Sequence, residues 1–119
     1  MALTILPNLH HVLRLYPYIL TAEAEADLRG IIRYTRKQWG TAQVRSYIAN
    51  LEHGIACLAA GRGSFRDMSE LFPGLRMARY EHHYVFCLPR RNEPALVVAI
   101  FHERMDLMTR LAKRISSKS

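Results

Sequence analysis

The alternation of hydrophobic and polar positions predicts two consecutive helices in the first half of the chain. After a short apolar run at 18–20, apolar residues recur at helical spacing over 24–39 and again over 44–58. Thr21 and Thr41 stand where N-caps are expected, and Gly40 separates the two stretches, which predicts an antiparallel helical hairpin. The positions expected to be buried are Ala24, Leu28, Ile31, Ile32, Thr35 and Trp39 in the first helix, and Val44, Tyr47, Ile48, Leu51, Ile55 and Leu58 in the second.

The second half of the chain has the pattern of three strands and a short final helix. A loop at 64–74 precedes strand-like stretches at 75–80, 83–88 and 95–101, with a polar turn at 89–94. Short connections favour an antiparallel meander, and the hairpin must cover one of its faces. The predicted fold class is α+β, a two-layer domain of one strand, a helical hairpin, a three-stranded antiparallel meander and a short C-terminal helix. That helix, at about 105–115, is expected to bury Met105, Met108, Leu111, Ala112 and Ile115.

Charge and cysteine content narrow the classes of partner and cofactor. The chain has 17 Lys and Arg against 10 Asp and Glu, a net charge of +7, which favours an acidic partner such as nucleic acid, an acidic protein surface or an anionic membrane. No apolar run is long enough to span a bilayer. Cys57 and Cys87 lack metal-site spacing, so we expect free thiols in the cytoplasm, with no metal and no cofactor.

The ends of the chain differ from its middle. The first sixteen residues are apolar, but Pro7 interrupts the run and Arg14 comes late, unlike the charge order of a signal peptide. We therefore interpret 1–16 as a non-secretory extension, 17–115 as one domain and 116–119 as a frayed tail.

Five residue runs, in order, resemble the ParE branch of the RelE/ParE toxin superfamily. They lie at 18–28 (opening strand and first helix), 32–43 (helix–helix junction), 74–76 (start of the sheet), 82–86 and 100–106 (last strands and start of the final helix), and together they cover roughly 18–114. The match is most similar to ParE toxins of broad-host-range plasmids. It implies the toxin of a type II toxin–antitoxin system, which inhibits DNA gyrase by binding and is neutralised by a ParD-type antitoxin. Such an antitoxin joins a ribbon-helix-helix part to a tail that wraps the toxin, so that operator DNA is contacted only through the antitoxin.

The alternative within the superfamily is a RelE-like, ribosome-dependent mRNA endonuclease. Metal-free RNA cleavage needs cationic groups together with a general base and a general acid. His102 is the best catalytic candidate because histidine titrates near neutrality. His82 and His83 alternate in direction on a strand, so we expect only one of them to face a given site. The chain has no lysine between Lys37 and Lys113 and no tyrosine after Tyr84. This favours a binding protein without an active site.

Two surfaces are expected to carry the interactions. The third and fourth strands and the final helix are expected to contact gyrase through Arg79, His82, His102, Glu103, Arg104 and Arg110. The hairpin is expected to contact the antitoxin through Arg29, Arg33, Arg36 and Trp39. The same arginines also suit nucleic-acid phosphates, or a solvated helix face with a Glu25–Arg29 pair. Packing within the domain remains the first expectation for Tyr34, Trp39 and Tyr47.

Overall fold

The computed structural model describes residues 18–116. Its elements are β1 (Tyr18–Leu20), α1 (Ala22–Trp39), α2 (Thr41–Ala59), β2 (Arg66–Asp67), β3 (Arg76–Tyr80), β4 (His83–Arg90), β5 (Glu93–His102) and α3 (Leu107–Ser116). The sheet order is β1-β5-β4-β3-β2, in which β1 runs parallel to β5 and the other neighbours are antiparallel. The α+β class, the hairpin, the meander and the final helix are thus confirmed. The predicted extension at 1–16 and residues 117–119 lie outside the described part.

The helical hairpin covers one face of the sheet, which we call the hairpin face. Thr21 caps α1 as predicted, since its Oγ1 accepts the Ala24 N–H at 3.1 Å. The amphipathic spacing is confirmed where the two helices meet the sheet, and the shared core comprises Ala24, Ile31, Leu51, Ile55 and Leu58 of the helices with Ala78, Val85, Cys87, Ala95, Val97 and Ile100 of the strands. The first helix therefore buries the stripe that its period predicts, except at its C-terminal end.

The junction between α1 and α2 differs from the prediction in two ways. Trp39 is 71% exposed at the last position of α1. Gly40, and not Thr41, is the N-cap of α2, and no side chain caps that helix. The chain reverses at Gly40 with φ 91°, a conformation that glycine adopts without steric cost, so Thr41 already lies inside α2.

Two loops of the sheet are shorter than predicted. The predicted loop at 64–74 contains β2, whose two residues pair with β3 as Arg66↔Met77 and Asp67↔Arg76. A strand of two residues has no visible alternation, which is why the pattern missed it. The polar turn predicted at 89–94 shrinks to residues 91 and 92, because β4 continues to Arg90 and β5 begins at Glu93. Polar residues are compatible with a strand here because the hairpin end meets solvent.

The final helix buries only part of the face predicted for it, at Leu111 and Ile115. Asp106 accepts hydrogen bonds from the Thr109 N–H at 3.3 Å and the Thr109 hydroxyl at 2.8 Å, which starts α3 at Leu107. Leu111 is then fully buried, with Leu107 and Ile115 partly buried beside it. The predicted burial is wrong at the exposed positions Met105, Met108 and Ala112.

α3 packs on the second face of the sheet, which we call the open face. Leu111 meets a cluster formed by Phe86, Val98 and Phe101 of the strands. An ion pair also fixes α3, since Arg114 Nη1 and Nη2 lie 3.0 and 3.2 Å from the carboxylate oxygens of Asp27 on α1. Among residues 18–116, no helix is long and apolar enough to cross a membrane.

Gly54→Ala tests how closely α2 approaches β3. Gly54 is buried in α2, and a Cβ there would lie 2.5 Å from Cδ1 of the Tyr80 ring. Alanine gains about 1 kcal/mol in helix propensity, but forcing a methyl group into the ring costs about 1–3 kcal/mol. We expect a net loss in the free energy of unfolding, measured by urea denaturation.

Two variants isolate that clash from the effect of helix propensity. Gly30→Ala in α1 is the matched control, because its nearest non-neighbouring atom lies 3.9 Å away, and it should stabilise the fold by about 1 kcal/mol. Gly54→Ala should also become stabilising in a Tyr80→Ala background. Equal effects of Gly54→Ala with and without the Tyr80 ring would contradict this account.

Candidate functional site

The candidate site lies at one end of the sheet, where β3 and β5 end and β4 begins. The turn from β3 to β4 comprises Glu81 and His82, and Glu81 adopts a positive φ of 55°. The antiparallel register places His83 directly opposite His102, the last residue of β5. We call the residues gathered there the strand-end cluster: Arg79, His82, His83, His102, Glu103 and Arg104.

Glu103 holds the exposed side of the strand-end cluster together. Its two carboxylate oxygens contact Arg79 Nη2 and His82 Nδ1, the latter at 2.8 Å. Its backbone N–H also donates to the His82 carbonyl at 2.9 Å, which joins the end of β5 to the turn. The hydrogen bond from His82, together with the nearby positive charge of Arg79, lowers the pKa of Glu103. The carboxylate is therefore ionised and engaged by two neighbours.

His83 forms the buried side of the same cluster. It is 9% exposed, and its Nδ1 is hydrogen-bonded to the Tyr47 hydroxyl of α2. Burial, followed by the positive charge that His102 and His82 can carry, lowers the pKa of His83 to about 4. Burial raises the pKa of Tyr47. At neutral pH both groups are uncharged, and the tautomer of the neutral imidazole decides whether the Tyr47 hydroxyl donates to Nδ1 or accepts from it.

His102 lies between the other two histidines. Its ring centroid is 5.2 Å from that of His83, edge to face, and 6.4 Å from that of His82, nearly parallel. The premise that His82 and His83 both lie on a strand is wrong, because His82 belongs to the turn, but the two side chains do differ in environment, with His82 exposed and His83 buried. His102 Nδ1 accepts the Arg104 N–H at 3.1 Å, so the proton of the neutral ring is on Nε2.

The strand-end cluster presents hydrogen-bond donors to solvent. Arg79, His82 and Arg104 are exposed, and His102 is half-buried among them. Within residues 18–116, no group of three or more His, Cys, Asp and Glu is arranged to hold a metal ion. An array of guanidinium and imidazole donors suits carboxylates and phosphates of a partner.

The structure brings together five of the six residues predicted to contact gyrase. Arg79, His82, His102, Glu103 and Arg104 all lie in the strand-end cluster. Arg110 is exposed on α3, and its backbone N–H bonds the Asp106 carbonyl at 3.1 Å; it takes no part in the contacts that join the cluster. Tyr47, for which packing was the first expectation, contacts the cluster from α2 through His83, which is 36 positions away in the sequence.

The residues predicted to contact the antitoxin lie exposed along α1. Arg29 pairs with Glu25 at 2.9 Å as the helical spacing predicts, and both side chains are about half exposed. Arg33 and Arg36 are exposed as well. The expected packing is wrong for Tyr34, which is 63% exposed, and for Trp39 at the C-terminal end of α1. Exposed aromatic residues beside arginines are typical of protein interfaces.

A family model and several known proteins are similar to this chain in sequence. A family model described as ParE toxin of type II toxin-antitoxin system, parDE, matches residues 18–107. Toxin ParE of Escherichia coli is 83% identical over 98 residues, which are 82% of this chain and 95% of the relative. Toxin ParE1 of Mycobacterium tuberculosis (strain ATCC 25618 / H37Rv) is 32% identical over 90 residues, 76% of this chain and 92% of that protein. Toxin ParE1 of Caulobacter vibrioides is 28% identical over 95 residues, 80% of this chain and 97% of that protein. The chain belongs to the ParE toxin family of type II toxin–antitoxin systems.

Proposed function

We propose that this toxin inhibits DNA gyrase by binding it and performs no chemistry of its own. The observation that carries the proposal is the state of the acid–base groups in the strand-end cluster. Glu103 is engaged by Arg79 and His82, and His83 is buried and bonded to Tyr47. A general base for RNA cleavage must be close to neutral pKa and within reach of the substrate hydroxyl. The carboxylate and the buried imidazole are instead committed to structure, while the donors around them remain exposed.

The gyrase surface in this proposal is the strand-end cluster, extended by Arg110 on α3. Arg79, Arg104 and the exposed histidines form a cationic, hydrogen-bonding patch. Complementary charge between partners raises the association rate and fixes their orientation. Gyrase acts in the cytoplasm, and the proposal places the toxin there too.

A type II toxin has an antitoxin partner, and we propose that it is of the ParD type. The exposed stripe of Arg29, Arg33 and Arg36, with Trp39 at its end, fits a tail that alternates carboxylates and apolar side chains. A tail that is disordered when free and folds on binding is open to proteolysis in its free form, and degradation of the antitoxin then releases the toxin. In this arrangement operator DNA is bound by the ribbon-helix-helix part of the antitoxin and not by the toxin.

One observation favours ribosome-dependent mRNA cleavage as the second candidate. His102 has a histidine on either side, with Arg79 and Arg104 in the same cluster. Imidazole and guanidinium groups together can move protons and stabilise a pentacoordinate phosphate. His102 is the residue through which such chemistry would act.

Two assays separate the candidates. Purified protein is added to a gyrase supercoiling reaction and, separately, to translating ribosomes with a defined mRNA. We expect loss of supercoiling and intact mRNA. Cleaved mRNA with undiminished supercoiling would overturn the proposal in favour of the endonuclease.

Variants locate the surface in the same assays. Arg104→Glu should raise the toxin concentration needed for half-inhibition about tenfold or more, because it reverses a charge in the cluster. The control is Arg45→Glu, which reverses an exposed charge on α2. His102→Gln should change gyrase inhibition less than about tenfold, whereas a general acid or base of the endonuclease alternative should lose roughly 100-fold in mRNA cleavage on the same substitution. Equal effects of the two arginine variants on gyrase inhibition would contradict the proposal that the strand-end cluster contacts gyrase.

A further inference from the structure

The connection between α2 and the edge strand β2 forms an exposed basic surface around one aromatic ring. Phe65 is 38% exposed, and the arginines on either side of it in the sequence, Arg62 and Arg66, are exposed as well. Within residues 18–116, no ion pair or side-chain hydrogen bond engages either arginine. We call Arg62, Phe65, Arg66 and Arg76 the Phe65 platform. It shares no residue with the proposed gyrase and antitoxin surfaces.

Arg76 fixes one face of the Phe65 ring. Its guanidinium carbon lies over the ring, 4.7 Å from the centroid, in a cation–π contact. Arg76 Nη1 also donates to the Leu58 carbonyl at 3.1 Å, at the C-terminal end of α2, where the helix dipole attracts a cation. Gly61 leaves room for this arrangement, because a Cβ there would lie 3.3 Å from Arg76 Nη1. The guanidinium is held between the helix end and the ring, so the ring is oriented before a partner binds.

A fixed aromatic ring with free guanidinium groups beside it suits a nucleic-acid strand whose bases are unpaired. Each base has a flat face that stacks on an aromatic side chain, and arginines bind the phosphates next to it. Because arginine itself stacks on aromatic faces, the base, Phe65 and Arg76 form three layers. A base inside a duplex already stacks on its neighbours, so a duplex offers the platform only its phosphates.

The composition of the platform favours nucleic acid over an acidic protein. A nucleic-acid strand supplies a flat aromatic group and an anion in every repeat unit, whereas an acidic peptide does not place a flat group beside each carboxylate. The carboxylate nearest in sequence, Asp67, is engaged, since its Oδ1 accepts the Ser69 N–H at 2.9 Å and the Ser69 hydroxyl. The arginines of the platform therefore keep their positive charge available for phosphates.

We propose that the Phe65 platform binds single-stranded nucleic acid, with one base stacked on Phe65 and phosphates bound by Arg62 and Arg66. Such a contact reads no base edge, so it is independent of sequence and adds no recognition of the operator. Arg76 is four residues along β3 from Tyr80, where that strand reaches the turn of the strand-end cluster, about 13 Å at strand spacing. The toxin therefore has separate surfaces for a nucleic-acid strand and for a protein partner.

The test measures binding of a short, fluorescently labelled oligothymidylate to the full-length toxin at low salt. Phe65→Ala should raise the Kd about tenfold, because stacking on one base is lost. Phe65→Leu should behave like Phe65→Ala, and Phe65→Trp like wild type, since only tryptophan restores an aromatic face. The control is Tyr34→Ala, which removes a ring that is 63% exposed on α1 and should change the Kd less than twofold. Thermal unfolding shows whether each variant is folded.

Salt dependence tests the two arginines. Replacing both, as Arg62→Gln/Arg66→Gln, should raise the Kd at low salt and reduce the slope of log Kd against log salt concentration by about 1.4, which corresponds to two phosphate contacts on a single strand. Arg45→Gln, at an exposed position of α2, should leave the slope unchanged. Equal slopes for wild type and the double variant would show that these arginines bind no phosphate and would overturn the proposal.

Other probes identify the class of partner. An RNA strand should show the same dependence on Phe65 as the DNA strand, because it offers the same phosphates and flat bases. Phe65→Ala should leave the Kd unchanged for a strand without bases, for a duplex and for a glutamate-rich peptide. If Phe65→Ala weakens the peptide as much as the strand, the platform is a protein surface and the inference is overturned. Equal effects of Phe65→Ala and Tyr34→Ala on the strand would also overturn it. None of these measurements contains gyrase, so their failure leaves the proposed gyrase inhibition standing.

Discussion

Asp27→Ala is expected to lower the free energy of unfolding by about 3 kcal/mol, the low end for breaking a buried ion pair. Asp27 and Arg114 are 17% and 18% exposed and form a bidentate pair. Asp27 Oδ2 also accepts the Ile100 N–H at 3.0 Å, and Arg114 Nη1 donates to the Val98 carbonyl at 2.9 Å. Without the carboxylate, a mostly buried guanidinium loses its bidentate contact with Asp27 and the Ile100 N–H loses its bond to Asp27 Oδ2. One substitution therefore loosens α1, β5 and α3 together.

Urea denaturation measures that loss, and Glu25→Ala is its control. Glu25 pairs with Arg29 in α1 at a similar distance, but the two side chains are 42% and 58% exposed. Exposed pairs contribute about 0–1 kcal/mol, so Glu25→Ala should be close to neutral. The double variant Asp27→Leu/Arg114→Met replaces both charged groups by apolar side chains. It should lose less free energy of unfolding than the single variant Asp27→Ala, because no buried charge is left without Asp27. Equal losses for Asp27→Ala and Glu25→Ala would mean that burial adds nothing to the pair.

The sequence predicts correctly those elements in which apolar residues recur with a clear helical or strand period. α2 buries Val44, Leu51, Ile55 and Leu58 as the helical spacing predicts, because that helix meets the sheet along its length. Periodicity fails at element ends, where a residue leaves the packed layer. Trp39 continues the stripe of α1 in register but is exposed at the last position of the helix. β2 and the start of α3 depend on a two-residue pairing and on the Asp106 cap, which an apolar pattern does not contain.

The candidate site was predictable in membership and not in arrangement. The positions chosen from the predicted strands and final helix include residues of β3, the following turn and the end of β5, and the register His83↔His102 brings these together. The role of His83 could not be predicted, since it depends on Tyr47 approaching from α2 across 36 positions of sequence.

Acidification from pH 7 to pH 4 is expected to destabilise the fold through His83. Its pKa is about 4 in the folded protein, mainly because burial penalises the charged imidazole, against 6.5 in the unfolded chain. Between these values the unfolded chain binds a proton that the folded protein does not, so stability increases with pH across the window. The full difference corresponds to about 3 kcal/mol, which is present above pH 6.5 and lost as the pH falls to 4. Other histidines and carboxylates add their own dependence, so a variant is needed to isolate the contribution of His83.

His83→Gln removes the titrating group while it keeps a polar side chain near the Tyr47 hydroxyl. Urea unfolding at pH 7, 6, 5 and 4.5 should show a smaller loss of stability for His83→Gln than for wild type, with most of the difference between the two curves arising below pH 6. At pH 7 the variant should be less stable, by about 1 kcal/mol if the bond to Tyr47 is lost. A pH dependence that His83→Gln leaves unchanged would assign the acid sensitivity to other groups. A flattened curve would identify the buried imidazole as the group that makes the strand ends, and with them the proposed gyrase surface, sensitive to acid.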